Sequence, residues 1–367
     1  MYDAIVVGAR CAGAPTAMLL ARKGHRVLLL DKATFPSDTM STHFIQAPGI
    51  ARLDRWGLLD RLRAANTPSI TKVTLNMGGI SFNPPPPPGE TAPPESFCPR
   101  RTVLDKILVD GAVEAGAELR EGFAVREVLK EGDRVTGVRG DVAGSSQSEH
   151  ATIVVGADGM HSMVAKAVDA ERYNEIPSLS FAYYAYWSGV QMDGAELHFL
   201  QGVGVLAFPT NDGFTCIAVG GGVDNFHDFR KDIEGNYRTV IEGAGSLAER
   251  MRGAKRETRF EGTADQPNFF RKPYGPGWAL VGDAGYHRDF ITGLGITDAF
   301  RDAECLANAI DAGLAGRQPM EEALAGYERE RNEIATPLYE FTTNLAQLTE
   351  PPSAALFANF GAAMART

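Results

Sequence analysis

Three short apolar runs punctuate the chain, at residues 4–7, 152–155 and 279–281, and each stops at glycine and a polar turn. Continuous runs of this length, bounded by turn residues, predict strands buried on both faces of a parallel sheet. After the first, the spacing turns helical, with Ala17 and Leu20 on one face, and ends near Gly24. A further apolar run at 27–30 stops at Asp31. Helical spacing returns at Leu104, Ile107, Leu108 and Ala112, in a helix opened by Arg100 and Arg101 and ended by Gly116. Short helices are predicted around 49–53 and 58–65, long ones over 296–315 and 320–347, and one over 226–252 with a single glycine break.

Elsewhere the period is two. Ile70, Val73 and Leu75 alternate with polar residues toward Gly78-Gly79, which predicts a hairpin over 69–82. Glu131-Gly132-Asp133 joins two strands within 123–143. From 178 to 223 the pattern is antiparallel sheet. An aromatic strand (Phe181, Tyr183, Tyr184, Tyr186, Trp187) is followed by strands at 197–200, 204–208 and 214–219, with Asn211-Asp212-Gly213 as a turn. Gly220-Gly221-Gly222 reads as a turn ending that sheet. The proline run from Pro84, with Gly89 and on to Pro94, predicts a stiff polyproline II loop at the surface that covers part of the substrate region.

Composition narrows the class. A chain of 367 residues has room for two domains. Its charge of 36 − 46 = −10 argues against a nucleic-acid partner and an anionic membrane surface. Cys11, Cys98, Cys216 and Cys305 are scattered, with no C-x-x-C pair or Cys/His cluster, so no metal is expected and a reducing, cytoplasmic setting is. The N-terminus lacks a basic segment and cleavage site and reads as a core strand rather than a signal peptide. No apolar stretch reaches the ~18 residues of a membrane span.

The first strand, turn and helix carry chemistry. Gly8 permits a sharp turn, Gly13 lets helix and sheet pack closely, and the helix N-terminus offers N–H groups and a positive dipole end to a pyrophosphate. Asp31 stands where a carboxylate accepts from ribose hydroxyls. This is the layout of a dinucleotide-binding βαβ unit, with Arg10 in place of the middle glycine of G-x-G-x-x-G. Two further turns come after apolar strands: Gly156-Ala157-Asp158-Gly159, and Gly282-Asp283-Ala284-Gly285 with Gly293-Leu294-Gly295-Ile296 and Asp302-Ala303 beyond.

With these three turns in this order, the chain from about Asp3 to Tyr327 resembles the FAD-dependent monooxygenases of the para-hydroxybenzoate hydroxylase type. These lie within the glutathione-reductase-like flavoproteins, which also include geranylgeranyl reductases and flavin-dependent halogenases. The resemblance implies an α/β fold: a Rossmann FAD-binding domain (1–70, 96–175, 270–330), an inserted antiparallel substrate domain (71–95, 176–269) and C-terminal helices (331–367). It implies that Gly8, Arg10, Cys11, Ala12 and Gly13 hold the ADP pyrophosphate, with Asp31 and Lys32 at the ribose. Arg101 would lie along the ribityl and pyrophosphate portion, and Asp158 in the motif tied to FAD and pyridine nucleotide. Gly282 and Asp283 would meet the ribityl hydroxyls, with Gly293, Gly295 and Ile296 at the flavin pyrimidine edge. The chain departs from the family at Ala165 (usually arginine), Phe290 (usually proline) and Tyr286 (usually histidine).

By the same resemblance the antiparallel sheet carries the substrate pocket. His43, Tyr184, Tyr186, Phe208, Pro209, His287 and Phe290 are its candidates, and an aromatic wall suits a flat hydrophobic substrate. No second nucleotide-binding motif is present. Electrons would come from NAD(P)H docking transiently, from a separate flavin reductase, or from substrate; a homodimer is also open. The leading expectation is hydroxylation of an aromatic or polyketide-like molecule through a C4a-hydroperoxyflavin with NAD(P)H and O2. The alternative is reduction of a prenyl or other unsaturated substrate. The Trp-x-Trp-x-Ile-Pro stretch and pocket lysine of halogenases are not found, since Trp187 stands alone.

Overall fold

The computed structural model describes residues 1–77, 80–83, 94–347, 354–364 and 366. The Gly78-Gly79 turn and the polyproline stretch from Pro84 lie outside them.

Five parallel strands run in the spatial order Glu118–Arg120, Val27–Leu30, Tyr2–Val7, Ser145–Gly156 and Trp278–Leu280. Tyr274–Gly275 adds an antiparallel edge. The register matters for function. Val7 pairs with both Leu30 and Gly156, and Gly156 pairs with Leu280, so these strands end in one row. The turns that leave them therefore emerge at the same edge of the sheet, where ligands of parallel α/β sheets bind.

The strands are apolar on both faces because both are covered. On one side, helix Gly13–Arg22 packs with helices Arg101–Glu114 and Gly295–Leu314. On the other, the hairpin Ala124–Glu131/Arg134–Val142 lays Val128, Val135 and Val138 under Ile5, Leu28 and Val154.

The second large sheet has the order Lys255–Arg256, Ser180–Ser188, Thr215–Gly222, Val203–Pro209, Ala195–Phe199, Val73–Met77, Ile80–Phe82. The Ala195–Phe199/Val73–Met77 pair alone is parallel along this path; Glu261–Thr263 also pairs with Ser180–Ser188. Alternation splits the aromatic strand. Phe181 and Tyr183 face helices Phe226–Lys231 and Ile233–Glu242, and Tyr184 and Tyr186 face the other way, toward Phe208 and Cys216. A three-stranded sheet (Arg172–Ile176, Asn268–Arg271, Tyr286–His287) and helices Met320–Ala346 and Ala354–Met364 complete the described chain. None of its helices is long and apolar enough to cross a membrane.

Two expectations are corrected. Gly220, Gly221 and Gly222 form no turn; they are strand residues paired with Ala182, Phe181 and Ser180. The close strand approach explains them: a Cβ on Gly220 would stand 2.7 Å from the Phe181 carbonyl oxygen. The helix expected over 226–252 is three helices, Phe226–Lys231, Ile233–Glu242 and Ser246–Met251. Asp232 leaves helical geometry (φ −145°) and caps the second through Gly235 N–H, and Gly245 (φ +55°) breaks the chain before the third.

Candidate functional site

The aligned strand ends bring the three glycine turns together. Gly8 adopts φ +102°, and a Cβ there would lie 2.4 Å from the Ala157 carbonyl oxygen of the second turn. A Cβ on Gly13 would lie 1.8 Å from the Gly8 carbonyl oxygen, so the helix sits directly on its own turn. The third turn arrives through Gly282 (φ +60°), whose Cβ would come within 2.7 Å of that of Ala12. Gly295, at the start of its helix, has no described residue beyond its neighbours and own helix backbone within 4 Å of where a Cβ would stand, whereas Ile296 beside it is buried. Gly293 takes the left-handed turn before it (φ +62°).

Asp31 braces the first turn: Oδ2 accepts from Ala9 N–H at 2.7 Å and Oδ1 from Ala33 N–H at 2.8 Å. Lys32 beside it is exposed. Asp158 has a similar local duty, since its carboxylate accepts from the Ser162 hydroxyl and from Met163 and Val164 N–H, capping helix Met163–Ala167. Burial pushes its pKa up against those hydrogen bonds. Asp283 is exposed at the third turn.

Asp105, which no sequence motif singles out, is fully buried between two guanidiniums. Arg101 donates to both its oxygens, at 3.0 and 3.1 Å, and Arg10 Nη1 donates at 2.5 Å. Arg10 also reaches the Ser37 hydroxyl (2.8 Å) and lies over the Phe35 ring. Cys11 Sγ points at the same carboxylate from 3.5 Å, and burial raises its thiol pKa, so it remains protonated. The i,i+4 spacing of Arg101 and Asp105 on one helix is the signal in the sequence that could have found it. Arg101 is drawn electrostatically to Asp105 and also to Asp283 of the third turn.

A second cluster faces this one from the antiparallel sheet. His43 is fully buried, with its backbone at φ +63° and its N–H donating to the Ser41 hydroxyl. Its Nε2 lies 2.6 Å from the Tyr186 hydroxyl, and its ring meets those of Tyr184 (5.5 Å) and Phe208 (6.0 Å). Arg100 stacks over Tyr186 at 5.0 Å. Burial, then the positive charges of Arg101 and Arg100, hold the His43 pKa down at about 3, so the imidazole is neutral. Burial raises the Tyr184 and Tyr186 phenols far above their ordinary range. Arg101 thus acts on both His43 and Asp283 and joins the aromatic wall to the glycine turns.

The remaining pocket candidates lie elsewhere in the contact pattern. Pro209 ends its strand opposite Thr215. His287 gives Nδ1 to the Pro267 carbonyl at 2.5 Å and stacks on Phe269, making none of the His43 contacts. Phe290 opens the short turn Phe290–Thr292 and is half-buried.

Converging backbone turns with close steric limits, an exposed carboxylate, a buried arginine and an open helix N-terminus suit an extended dinucleotide whose charge is central. Comparison with known proteins agrees. The chain is 27% identical to digeranylgeranylglycerophospholipid reductase 1 of Methanococcoides burtonii, over 88% of this chain and 75% of that one. It is 26% identical to the 12-dehydrotetracycline 5-monooxygenase/anhydrotetracycline 6-monooxygenase of Streptomyces rimosus, over 95% of this chain and 70% of that one. Its fold superposes on the myxobacterial chondrochloren halogenase with TM-score 0.87 at 22% identity, covering 100% of this chain and 89% of that one. The family model described as the FAD binding domain matches residues 1–236, and the chain belongs to that family of flavoprotein oxidoreductases.

Proposed function

We propose that the protein is an FAD-dependent monooxygenase that hydroxylates an aromatic or polyketide-like small molecule, using NAD(P)H and O2. The observation that carries this reading is the buried His43–Tyr186 pair among the apolar side chains of Ile70, Ala195 and Phe208. A prenyl chain has no acidic proton and needs no polar partner beside it. A phenol-like substrate carries a hydroxyl, and the Tyr186 hydroxyl with its neutral His43 partner can hydrogen-bond and orient it. The similarity to the tetracycline monooxygenase supports the same reading.

The residues present fit FAD. Gly8, Ala12 and Gly13 would receive the pyrophosphate, with Asp31 beside the ribose and Arg101 along the chain of phosphates and ribityl. Asp283 would take the ribityl hydroxyls, and Gly295 and Ile296 would turn the helix N-terminus to the flavin edge. Bound there, FAD supplies two-electron redox chemistry and oxygen activation. The chain's share is to orient the substrate against the Tyr184, Tyr186 and Phe208 wall, exclude water and hold the substrate's hydroxyl. We place it in the cytoplasm, with all four cysteines free.

Reduction of an unsaturated substrate is the second reading, favoured by the similarity to the digeranylgeranylglycerophospholipid reductase. One set of measurements separates them. The purified protein should be yellow or take up FAD, and phenols should stimulate linked NAD(P)H and O2 consumption with a hydroxylated product. Oxygen-independent saturation of a prenyl substrate, without phenol turnover, would transfer the assignment to the reductase.

A further inference from the structure

Against the third glycine turn, a cavity of about 20 Å³ is walled by Gly282, Asp283, Gly295, Tyr286, Arg288 and Asp302, among others. Its inner wall is charged. Asp298 accepts from Arg288 (2.6 Å) and Arg301 (3.0 Å), and Asp302 Oδ1 accepts twice from Arg301, at 3.0 and 2.7 Å. Three wall residues, all less than a tenth exposed, each carry a polar atom without a hydrogen-bond partner among the described residues: Tyr286 Oη, Arg288 Nε and Asp302 Oδ2. Orphaned buried polar atoms are uncommon and costly, and three around one cavity are not independent accidents.

We infer that this cavity is a built site for a single water molecule, bound by Asp302, Tyr286 and Arg288 beside the turn Gly282–Ala284 and the first residue of helix Gly295–Leu314. The volume suits one water, which needs about 10–15 Å³, and a buried water usually has about three partners. The donors and acceptors also match. The Arg288 Nε–H donates to the water, the water donates to Asp302 Oδ2, and the Tyr286 hydroxyl takes either role. An anion is disfavoured by the Asp302 carboxylate, and a cation by the Arg288 guanidinium.

The site joins the Arg288–Asp298–Arg301–Asp302 cluster to the wall formed by Gly282, Asp283 and Gly295. Its consequence rests on the FAD reading: the ordered water positions those groups and contributes to the field felt by a flavin at Gly295. Tyr286 is then a positioning residue.

The test has two separable parts. A high-resolution crystal structure of the purified protein should show one water within hydrogen-bond distance of Tyr286 Oη, Arg288 Nε and Asp302 Oδ2, whether or not FAD is bound. A dry cavity, or a halide or metal ion in it, overturns the inference without touching the FAD reading. Tyr286→Phe keeps the ring stacked on Phe270 and removes only the hydroxyl. The variant should fold and bind FAD within threefold of wild type, while the equilibrium between oxidised and reduced bound flavin shifts at least threefold. An unchanged equilibrium refutes the positioning role even with the water present. Failure of the wild type to bind FAD at any concentration refutes the FAD reading, and with it that role, while the water site stands on the diffraction result.

Discussion

The Tyr186 hydroxyl and His43 Nε2 lie 2.6 Å apart, although 143 residues separate them in the chain. His43 comes from the loop after the second strand and Tyr186 from the antiparallel sheet, and both are buried. If it holds the substrate's hydroxyl, Tyr186→Phe should lower kcat/KM with a phenolic substrate by roughly tenfold, about the worth of one lost hydrogen bond. FAD affinity should stay within about twofold of wild type. Steady-state kinetics and an FAD titration on the same preparation check this. Wild-type turnover in the variant would remove the pair from the mechanism.

The neutral state of His43 makes a separate, thermodynamic prediction. Its folded pKa is lowered to about 3 from an ordinary value of 6.5. The unfolded chain therefore binds a proton between those values that the folded chain refuses. Stability is complete above about pH 6.5 and is lost as pH falls toward 3, by at most about 1.4 kcal/mol per pH unit from this group. His43→Gln should flatten the acid side of the stability curve by up to one proton, measured by urea unfolding at pH 5 and 7. An unaltered slope would mean that the folded protein accommodates the imidazolium.

Asp105 separates two arginines that the sequence places together at the pyrophosphate. Arg10→Ala leaves Asp105 bonded to Arg101 and should cost about 1 kcal/mol, with FAD affinity little changed. Asp105→Ala leaves the buried Arg101 without its partner and should cost about 3–5 kcal/mol, with FAD affinity falling as well. Chemical denaturation of the two variants decides the order. Equal losses would show that Arg10 is as important to the buried network as Asp105.

The parts of the site that are legible in the sequence are those with local causes. Gly8 and Gly13 are demanded by a turn and a helix only residues apart, and the period-two pattern puts Tyr184 and Tyr186 on the face opposite Phe181 and Tyr183. Long-range contacts leave no such trace. Nothing near His43 indicates that a strand beyond residue 180 will close over it, and nothing near Arg10 points to Asp105. Gly220 to Gly222 mislead for a related reason. Glycine serves both turns and close strand approach, and only the neighbouring Phe181 carbonyl distinguishes the two.

Asp283 is exposed and makes no hydrogen bond among the described residues that would tie it to the fold. Its replacement should therefore cost little stability. A lost hydrogen bond to a charged group is worth about 1.5–3 kcal/mol, so Asp283→Ala should weaken FAD binding by roughly ten- to a hundredfold. Fluorescence titration of the apoprotein measures it. FAD retained at wild-type affinity would count against the ribityl assignment.

Gly295 offers the sharpest separation of fold from cofactor. Apart from its own neighbours and helix backbone, no described residue comes within 4 Å of where its Cβ would stand, and it occupies the first position of a helix, where alanine is the better former. Gly295→Ala should leave the melting temperature of the apoprotein unchanged or slightly raised. The added methyl projects into the space assigned to the flavin edge, so FAD affinity should fall at least tenfold. Gly13→Ala is the opposite case: its Cβ would stand 1.8 Å from the Gly8 carbonyl oxygen, and the turn itself must give way. That variant should lose stability with or without FAD. Calorimetry of both apoproteins, followed by titration with FAD, gives a crossed pattern if the cofactor lies against Gly295. Undiminished FAD affinity in Gly295→Ala would place the flavin elsewhere.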